Sequence, residues 1–397
     1  MFTIAVKILI EDRVKYIGLL IGIAFTAFLV TFAMSYFAGF MTRGFALVSE
    51  NPSVDIWVMD RAVSSSEATI NMSDAALNLV KSVQGVENAV PLYMQDMTAR
   101  FPNGHFQAFQ VIGVDDATLS GIPKIKSTRD ASELLHIPGS VIVDSGGTSD
   151  KLQTPKYMKD SYPFDGPHLN AATRKLRFGD TLLINDKRIV VAGVSQTIPR
   201  FPPRPLIYTT LSNFKRLTPS QVKRLTFVMV KIKSGSNLHL IAQKIQKQTG
   251  LKALTSDDFK KQTVMWYLVN SEDVGDMVNM VVLAMLVGFG VTGVMLYMFT
   301  QDNLKYYALL KAMGASSKQL RVMIFTQVFM SALIGSGIGI GVCTLVGKLV
   351  ANGDFPYRMM WFSPLFGLIG VLIVSITAGL ISQHALKNVE AEMLFAS

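Results

Sequence analysis

The sequence predicts a membrane protein with four helical spans, one and then three, and a large α+β extracytoplasmic domain inserted between the first and second. Three observations predict it. Long apolar stretches cover residues 17–40, 277–299, 322–350 and 362–382. Each is at least about 20 residues, enough at 1.5 Å per residue to cross a hydrocarbon core ~30 Å thick. Half of the 397 residues are hydrophobic and only 17% are charged, a balance unlike that of soluble domains. The stretch between the first and second apolar runs is long enough for one or two cores of its own.

Lipid offers no partner to backbone N–H and C=O groups, so each span must be a helix. The spans are placed at 16–42, 273–300, 321–350 and 361–383, with the inserted domain at 43–272. Short loops set orientation. Lys7, Arg13 and Lys15 precede the first span, and Lys305, Lys311, Lys318 and Arg321 face only Asp302 between the second and third. Lys387 follows the fourth span. Both termini and the 301–320 loop are therefore expected in the cytoplasm, with 43–272 and the short 351–360 loop outside, in the periplasm of a bacterial inner membrane. Bulky Tyr36 and Phe37 end the first apolar run where a signal peptidase needs small residues, so it reads as a retained anchor. Residues 2–15 read as an amphipathic helix on the cytoplasmic face, and 384–397 as a cytoplasmic tail.

Within the insert, alternation predicts strands at 54–59, 86–91, 106–114, 225–233 and 251–254. Helices are expected at 73–82 and 237–249, stopped by Gly85 and Gly250. These pieces, about 50–115 and 223–265, form a membrane-proximal α+β subdomain. The middle section, about 116–222, reads as a second, mostly β subdomain. It has a strand at 139–144, a meander over 176–194 turning at Asn185-Asp186, and an irregular Pro-rich run at 199–205.

The net charge of +10 is read as solvated surface, with a functional basic patch as the alternative and no nucleic-acid role assigned. Cys343 is the single cysteine and falls in the third span, so no intramolecular disulfide is available. The five histidines are scattered without metal-ligand spacing. The run 341–348 imitates a nucleotide-binding loop, but its glycines are one residue too far apart and Leu349 stands where Ser or Thr would hold magnesium. No cofactor is expected on this chain, and no catalytic residues. The spans carry almost no ionisable group at mid-depth, which argues against an ion-coupled carrier. Gly335, Gly337, Gly339 and Gly341 in the third span form overlapping Gly-x-x-x-Gly pairs, and Gly288 and Gly293 serve the second, so close helix packing is expected.

The informative segment is 303–320. A short helix at 304–313 has Leu304, Leu309, Leu310 and Met313 as its apolar residues and Lys305 and Lys311 as its charges, with Gly314 as its stop and Ser316 capping the next helix. Such a helix, rigidly continuous with a span, is a lever whose leucines can enter a groove on a soluble partner, while its lysines meet an acidic rim or anionic lipid.

The stretch Leu310-Lys311-Ala312-Met313-Gly314-Ala315-Ser316 resembles the MacB/FtsX-like permeases of ABC transporters. Gly22-Ile23-Ala24-Phe25 and Asp55-Ile56-Trp57-Val58-Met59 resemble the DevC-type branch most. Ala391-Glu392-Met393-Leu394 is similar to the family's ending, but Glu390 replaces its proline, and Gln327 stands where many members carry Glu. The resemblance implies the MacB-type (type VII) permease fold and a homodimer, or a pair with a paralogous permease. It also implies two copies of a separate ABC ATPase subunit, which would hold ATP and Mg. Closure of those ATPases would push on the 304–313 helix and move the outer domain by mechanotransmission, exporting an amphiphilic substrate such as a lipid, glycolipid, haem-like molecule, peptide or drug. A periplasmic adaptor and an outer-membrane channel complete the path in the DevC-type branch. Alternatives on the same fold are a lipoprotein-releasing permease and a non-transporting FtsX-like regulator of cell-wall hydrolases.

Orientation is testable with Ser149→Cys in a Cys343→Ala background. An impermeant maleimide should label it in cells whose inner membrane is intact; labelling only after that membrane is breached contradicts the topology.

Overall fold

Every long apolar stretch is helical in the computed structural model, which describes residues 7, 9, 11–125, 131–148, 151–156, 166–218, 225–351 and 355–382. In chain order the helices are α1 (Arg13–Gly44), α2 (Ala46–Glu50), α3 (Ala75–Lys81), α4 (Ala131–Leu135), α5 (Leu211–Leu217), α6 (Leu238–Thr249), α7 (Ser256–Asn270), α8 (Glu272–Asp302), α9 (Leu304–Ala312), α10 (Ser317–Val350) and α11 (Phe362–Ser382). By length and composition α1, α8, α10 and α11 suit membrane crossing. The chain divides into two compact units, 41–270 and 1–40 with 271–397. Much of the helix expected at 2–15, and all of the 384–397 tail with its 391–394 stretch, lie outside the described residues.

In the unit 41–270 the strands are β1 (Ile56–Met59), β2 (Val86–Arg100), β3 (Phe106–Val114), β4 (Ser140–Asp144), β5 (Gln153–Pro155), β6 (Thr173–Lys175), β7 (Thr181–Ile184), β8 (Lys187–Val194), β9 (Leu206–Thr210), β10 (Leu225–Ile232) and β11 (Lys252–Thr255). Nine of them form one sheet in the order β11-β1-β10-β2-β3-β9-β4-β8-β7, and β5 pairs with β6 alone. Strand β2 is the spine. Its first half pairs with β10 and its second half with β3. Its last residues also meet β7, Ala99 opposite Ile184 and Arg100 opposite Leu183. The strands β2-β3-β9-β4-β8-β7 therefore close into a ring, and β10, β1 and β11 extend the sheet from β2. The sequence suggests a break near 116; the sheet instead runs on through β3 and β9, because β2 is fifteen residues long and serves both parts.

Side chains alternate across a strand, and here both faces are covered. Ile56 and Val58 join an apolar core that runs from Val80 of α3 and Ile245 of α6 to Val141, Ile184 and Val191 inside the ring. Trp57 and Met59 join the opposite core with Leu47 and Val48 of α2 and Phe259 of α7. The β7–β8 hairpin turns on Asn185 (φ 48°) and Asp186 (φ 58°), the two left-handed positions that a type I′ turn demands. Helix α6 starts on Asn237, whose side chain accepts from the His239 and Leu240 amides, and ends at left-handed Gly250.

In the other unit, α1 is the axis on which the remaining spans pack. Lipid supplies no hydrophobic drive between helices, so close approach at small residues holds them. A Cβ on Gly335 of α10 would sit 2.6 Å from Ile23, and one on Gly339 would strike the Ala24 carbonyl and lie 2.7 Å from Ala27. Gly288 of α8 abuts Thr26, and Gly367 of α11 abuts Thr31. Gly293 makes only an ordinary contact, 3.9 Å from Ala378. Gly337 and Gly341 have nothing within 4 Å in the single chain. Residues two apart stand on nearly opposite sides of a helix, so only the Gly335/Gly339 pair faces α1.

Gly339→Val should therefore destabilise the chain by about 1–3 kcal/mol or more, since backbone blocks the added methyls, while Gly341→Val should leave stability nearly unchanged. Thermal unfolding in detergent distinguishes the two.

Candidate functional site

The 303–320 segment is built as a fixed corner. Asn303 Nδ2 donates to the Phe299 carbonyl at 2.7 Å, closing α8. Helix α9 ends on Gly314, whose φ of +97° is open to glycine at no steric cost. The Gly314 amide donates to the Lys311 carbonyl and the Ala315 amide to the Leu310 carbonyl, both at 3.0 Å. Together these bonds form the Schellman motif. Two residues on, Ser316 accepts from the Gln319 amide at 3.3 Å while Gln319 Oε1 accepts from the Ser316 amide at 2.8 Å, a complete capping box that starts α10.

One side of α9 is locked inward. Tyr307 is fully buried, and its hydroxyl donates to Gln327 Oε1 of α10 at 3.0 Å. Burial pushes its phenol above the usual tyrosine range. Tyr307 and Leu310 belong to the apolar core that also holds Leu19, Leu296, Met323 and Val328. Leu304 is half-buried against that core. At the helix start, Tyr306 donates to Glu11 at 2.8 Å, and Lys15 bridges Asp12 at 3.0 Å and Asp302 at 2.9 Å.

The other side of α9 is bare. Leu309 is 50% and Met313 68% exposed, Lys305 and Gly314 are exposed, and Lys311 is half-buried. Leu310 is only 9% exposed. The sequence groups it with Leu309 as a partner-facing residue; the 100° step of the helix turns it into the core instead. Tyr307 was missed because a tyrosine next to a second tyrosine gives no periodic signal.

A second constellation lies in the unit 41–270, on the Pro-rich strap of residues 196–205. Arg200 is buried, 1% exposed. Its Nη2 donates to Glu50 Oε2 at 2.6 Å and to the Tyr208 hydroxyl at 3.2 Å. Glu50 Oε1 also accepts from the Ile198 amide at 2.7 Å. The strap is pinned elsewhere by Arg204, which pairs with Glu67 and Asp96. Asp144 accepts from Ser195 Oγ at 2.7 Å and the Thr197 amide at 2.8 Å. Tyr267 of α7 donates to the Phe201 carbonyl at 3.2 Å. The strap thus grips both α2, which follows α1 after one residue, and α7, which precedes α8 by one residue.

Burial pushes the Glu50 and Glu67 carboxyls above the ordinary range, against the pull of Arg200 and Arg204. Burial alone would lower Arg200, but Tyr208 and the two glutamates outweigh it and hold the guanidinium charged. Arg200 Nε and Nη1 and Glu67 Oε1 find no partner among the described residues. The sequence shows this strap only as prolines interleaved with two arginines, since the carboxylates that meet it lie 53 to 150 positions away. Among the described residues no three His, Cys, Asp or Glu side chains converge on a metal-binding position.

Residues 17–248 match the profile of the MacB-like periplasmic core domain, and residues 279–390 that of the FtsX-like permease C-terminal region. An uncharacterized ABC transporter permease of Methanocaldococcus jannaschii is 24% identical over 225 residues, covering 54% of this chain and 55% of that relative, so the match spans about half of its length. The periplasmic region of MacB from Actinobacillus actinomycetemcomitans aligns at a TM-score of 0.37 and 11% identity over 53% of this chain and 92% of the other. The extracellular domain of the transporter YknZ from Gram-positive bacteria aligns at 0.33 and 13%, over 51% and 98%. At these TM-scores the structural likeness adds no argument to the family matches.

Arg200→Met should cost about 3–5 kcal/mol at neutral pH by leaving the Glu50 carboxylate without its cation. A carboxyl whose folded pKa lies above its unfolded value favours folding at low pH and loses that contribution as pH rises through the folded pKa. Removing Arg200 raises that folded pKa further. The stability gap between variant and parent should therefore narrow as pH falls from 7 towards the unfolded glutamate value of about 4.3, read from thermal unfolding across that range.

Proposed function

The chain belongs to the MacB/FtsX-like family of ABC transporter permeases, and from that premise we propose that it is the membrane subunit of an ATP-driven exporter that works by mechanical transmission. ATP and Mg would be held by two copies of a partner ABC ATPase, and this chain would form a homodimer or pair with a paralogous permease. It would lie in a bacterial inner membrane with its termini cytoplasmic and 43–272 periplasmic, meeting an adaptor and an outer-membrane channel. Its cargo would be an amphiphile taken up on the outer side.

The observation that carries this reading is the corner at 303–319. A lever needs a stiff joint and a free face. The Schellman motif, the capping box and the Tyr307–Gln327 hydrogen bond supply the joint. Leu309 and Met313, with Lys305 beside them, supply the face: apolar side chains for a groove and a cation for its rim. A push on α9 reaches α10 without being absorbed in a loop. The strap around Arg200 supports the same reading at the other end, because it ties the segment after α1 and the helix before α8 to one rigid sheet.

Leu309→Asp with Met313→Asp should abolish co-purification of the ATPase partner while the thermal stability of the chain is kept. Leu310→Asp should instead lower stability, because that residue sits in the core. If the ATPase still co-purifies with the Leu309/Met313 double variant, α9 is not the lever.

A further inference from the structure

We propose that the β ring carries a cleft that binds anionic amphiphiles, molecules joining a carboxylate or phosphate head to an apolar chain. The proposal deepens the exporter reading by naming a substrate class, and rests on it only for the use made of the binding.

The cleft has a volume of about 580 Å³, within the range of small-molecule sites. Its walls come from β6, the turn after it, and the end of β8. The floor is apolar: Leu152 and Leu176 are buried members of the main core. One wall is Ala192 and Val194, and the lip is Phe178, which is 64% exposed. An aromatic ring held that far into solvent offers an apolar chain a flat surface to cover.

The mouth is positive. Lys175 and Arg177 line it, and none of the described lining residues is acidic. Residues 174–180 hold three cations, Arg174, Lys175 and Arg177, against one carboxylate, Asp180. That carboxylate is already engaged: Arg174 donates to both of its oxygens, at 2.6 and 2.7 Å, and the Arg177 amide donates to it at 2.7 Å. These bonds also fix the turn that presents Phe178. Gly179 takes φ +86° at its apex, and its amide donates to the Val191 carbonyl at 2.8 Å. The facing wall is equally rigid, since Ser195 is bound to the buried Asp144. The cleft thus combines a fixed apolar floor, a fixed aromatic lip and surplus positive charge at the rim. An uncharged lipid would leave the cations unmatched, and a bare anion would leave the floor and Phe178 in water. A molecule with both parts satisfies both.

The test uses the full chain in nanodiscs of neutral phosphatidylcholine, without the ATPase, and reads hydrogen–deuterium exchange in 176–178 and 190–196. Decyl phosphate should slow exchange there, whereas decyl maltoside and inorganic phosphate at the same concentration should not. Lys175→Gln with Arg177→Gln should weaken the decyl phosphate effect about tenfold or more, as loss of charge-assisted hydrogen bonds requires, and Phe178→Ser should weaken it too. Unchanged exchange in β2 and β3 shows that the variants are folded. The proposal is overturned by equal protection with decyl maltoside, which means apolar adhesion only, or with inorganic phosphate, which means a small-anion site. It is also overturned if an acidic peptide protects the cleft and decyl phosphate does not, or if the double Gln variant binds as the parent does. Because the ATPase is absent, failure here leaves the exporter reading standing, and failure of α9 to bind the ATPase leaves this binding intact.

Discussion

Backbone amides and carbonyls inside a bilayer have no water to turn to, and that single constraint organises the molecule. It makes α1, α8, α10 and α11 uninterrupted helices, and it leaves no room for a loop or an open strand at mid-depth. Those helices cannot be driven together by the hydrophobic effect, because lipid is as apolar as they are. They are held by close approach instead, with Gly288, Gly335, Gly339 and Gly367 each set against α1. A bundle of this kind, with almost no ionisable side chain along its interior, has little chemistry to offer at mid-depth. It moves as rods.

What happens at the rod ends then decides what movement can do. Between α8 and α10 the chain turns twice within a few residues, and each turn is closed by backbone bonds and side-chain caps. In the other unit the strap of residues 196–205 is bonded to α2 through Glu50 and to α7 through Tyr267. Buried ion pairs add little net stability, since the cost of desolvation cancels much of the attraction. They do impose one geometry. On the proposed reading, that geometry is what the Arg200 cluster contributes: a joint that cannot slide, where an apolar contact of the same size would.

Much of this was legible in the sequence where a local rule governs. Composition and run length give the four spans, the Asn185-Asp186 turn gives the β7–β8 hairpin, and Gly314 with Ser316 gives the corner after α9. Legibility stopped where contacts are distant or where two patterns compete. The long β2 looks shorter in sequence because 92–100 mixes Met, Gln, Asp and Arg without clean alternation, yet it is paired along its whole length, first with β10 and then with β3. Leu310 and Leu309 look alike in sequence; only the packing of α9 on α10 assigns one to the core and the other to solvent. The α10 glycines look like a single stripe, and the helical period splits them between α1 and an open side. Arg200 is an arginine in a proline-rich loop until Glu50 and Tyr208 are brought to it.

The central claim is that the corner at α9 and the strap at Arg200 belong to one mechanical train driven from the cytoplasm. The most direct measurement is hydrogen–deuterium exchange on the chain reconstituted with its ATPase partner, comparing the nucleotide-free state with one trapped by ATP and vanadate. Trapping should change exchange in both 304–316 and 196–205, and the second change should vanish when Leu309 and Met313 are replaced by Asp. Trapped ATPase bound to the chain with no change in 196–205 would contradict the account.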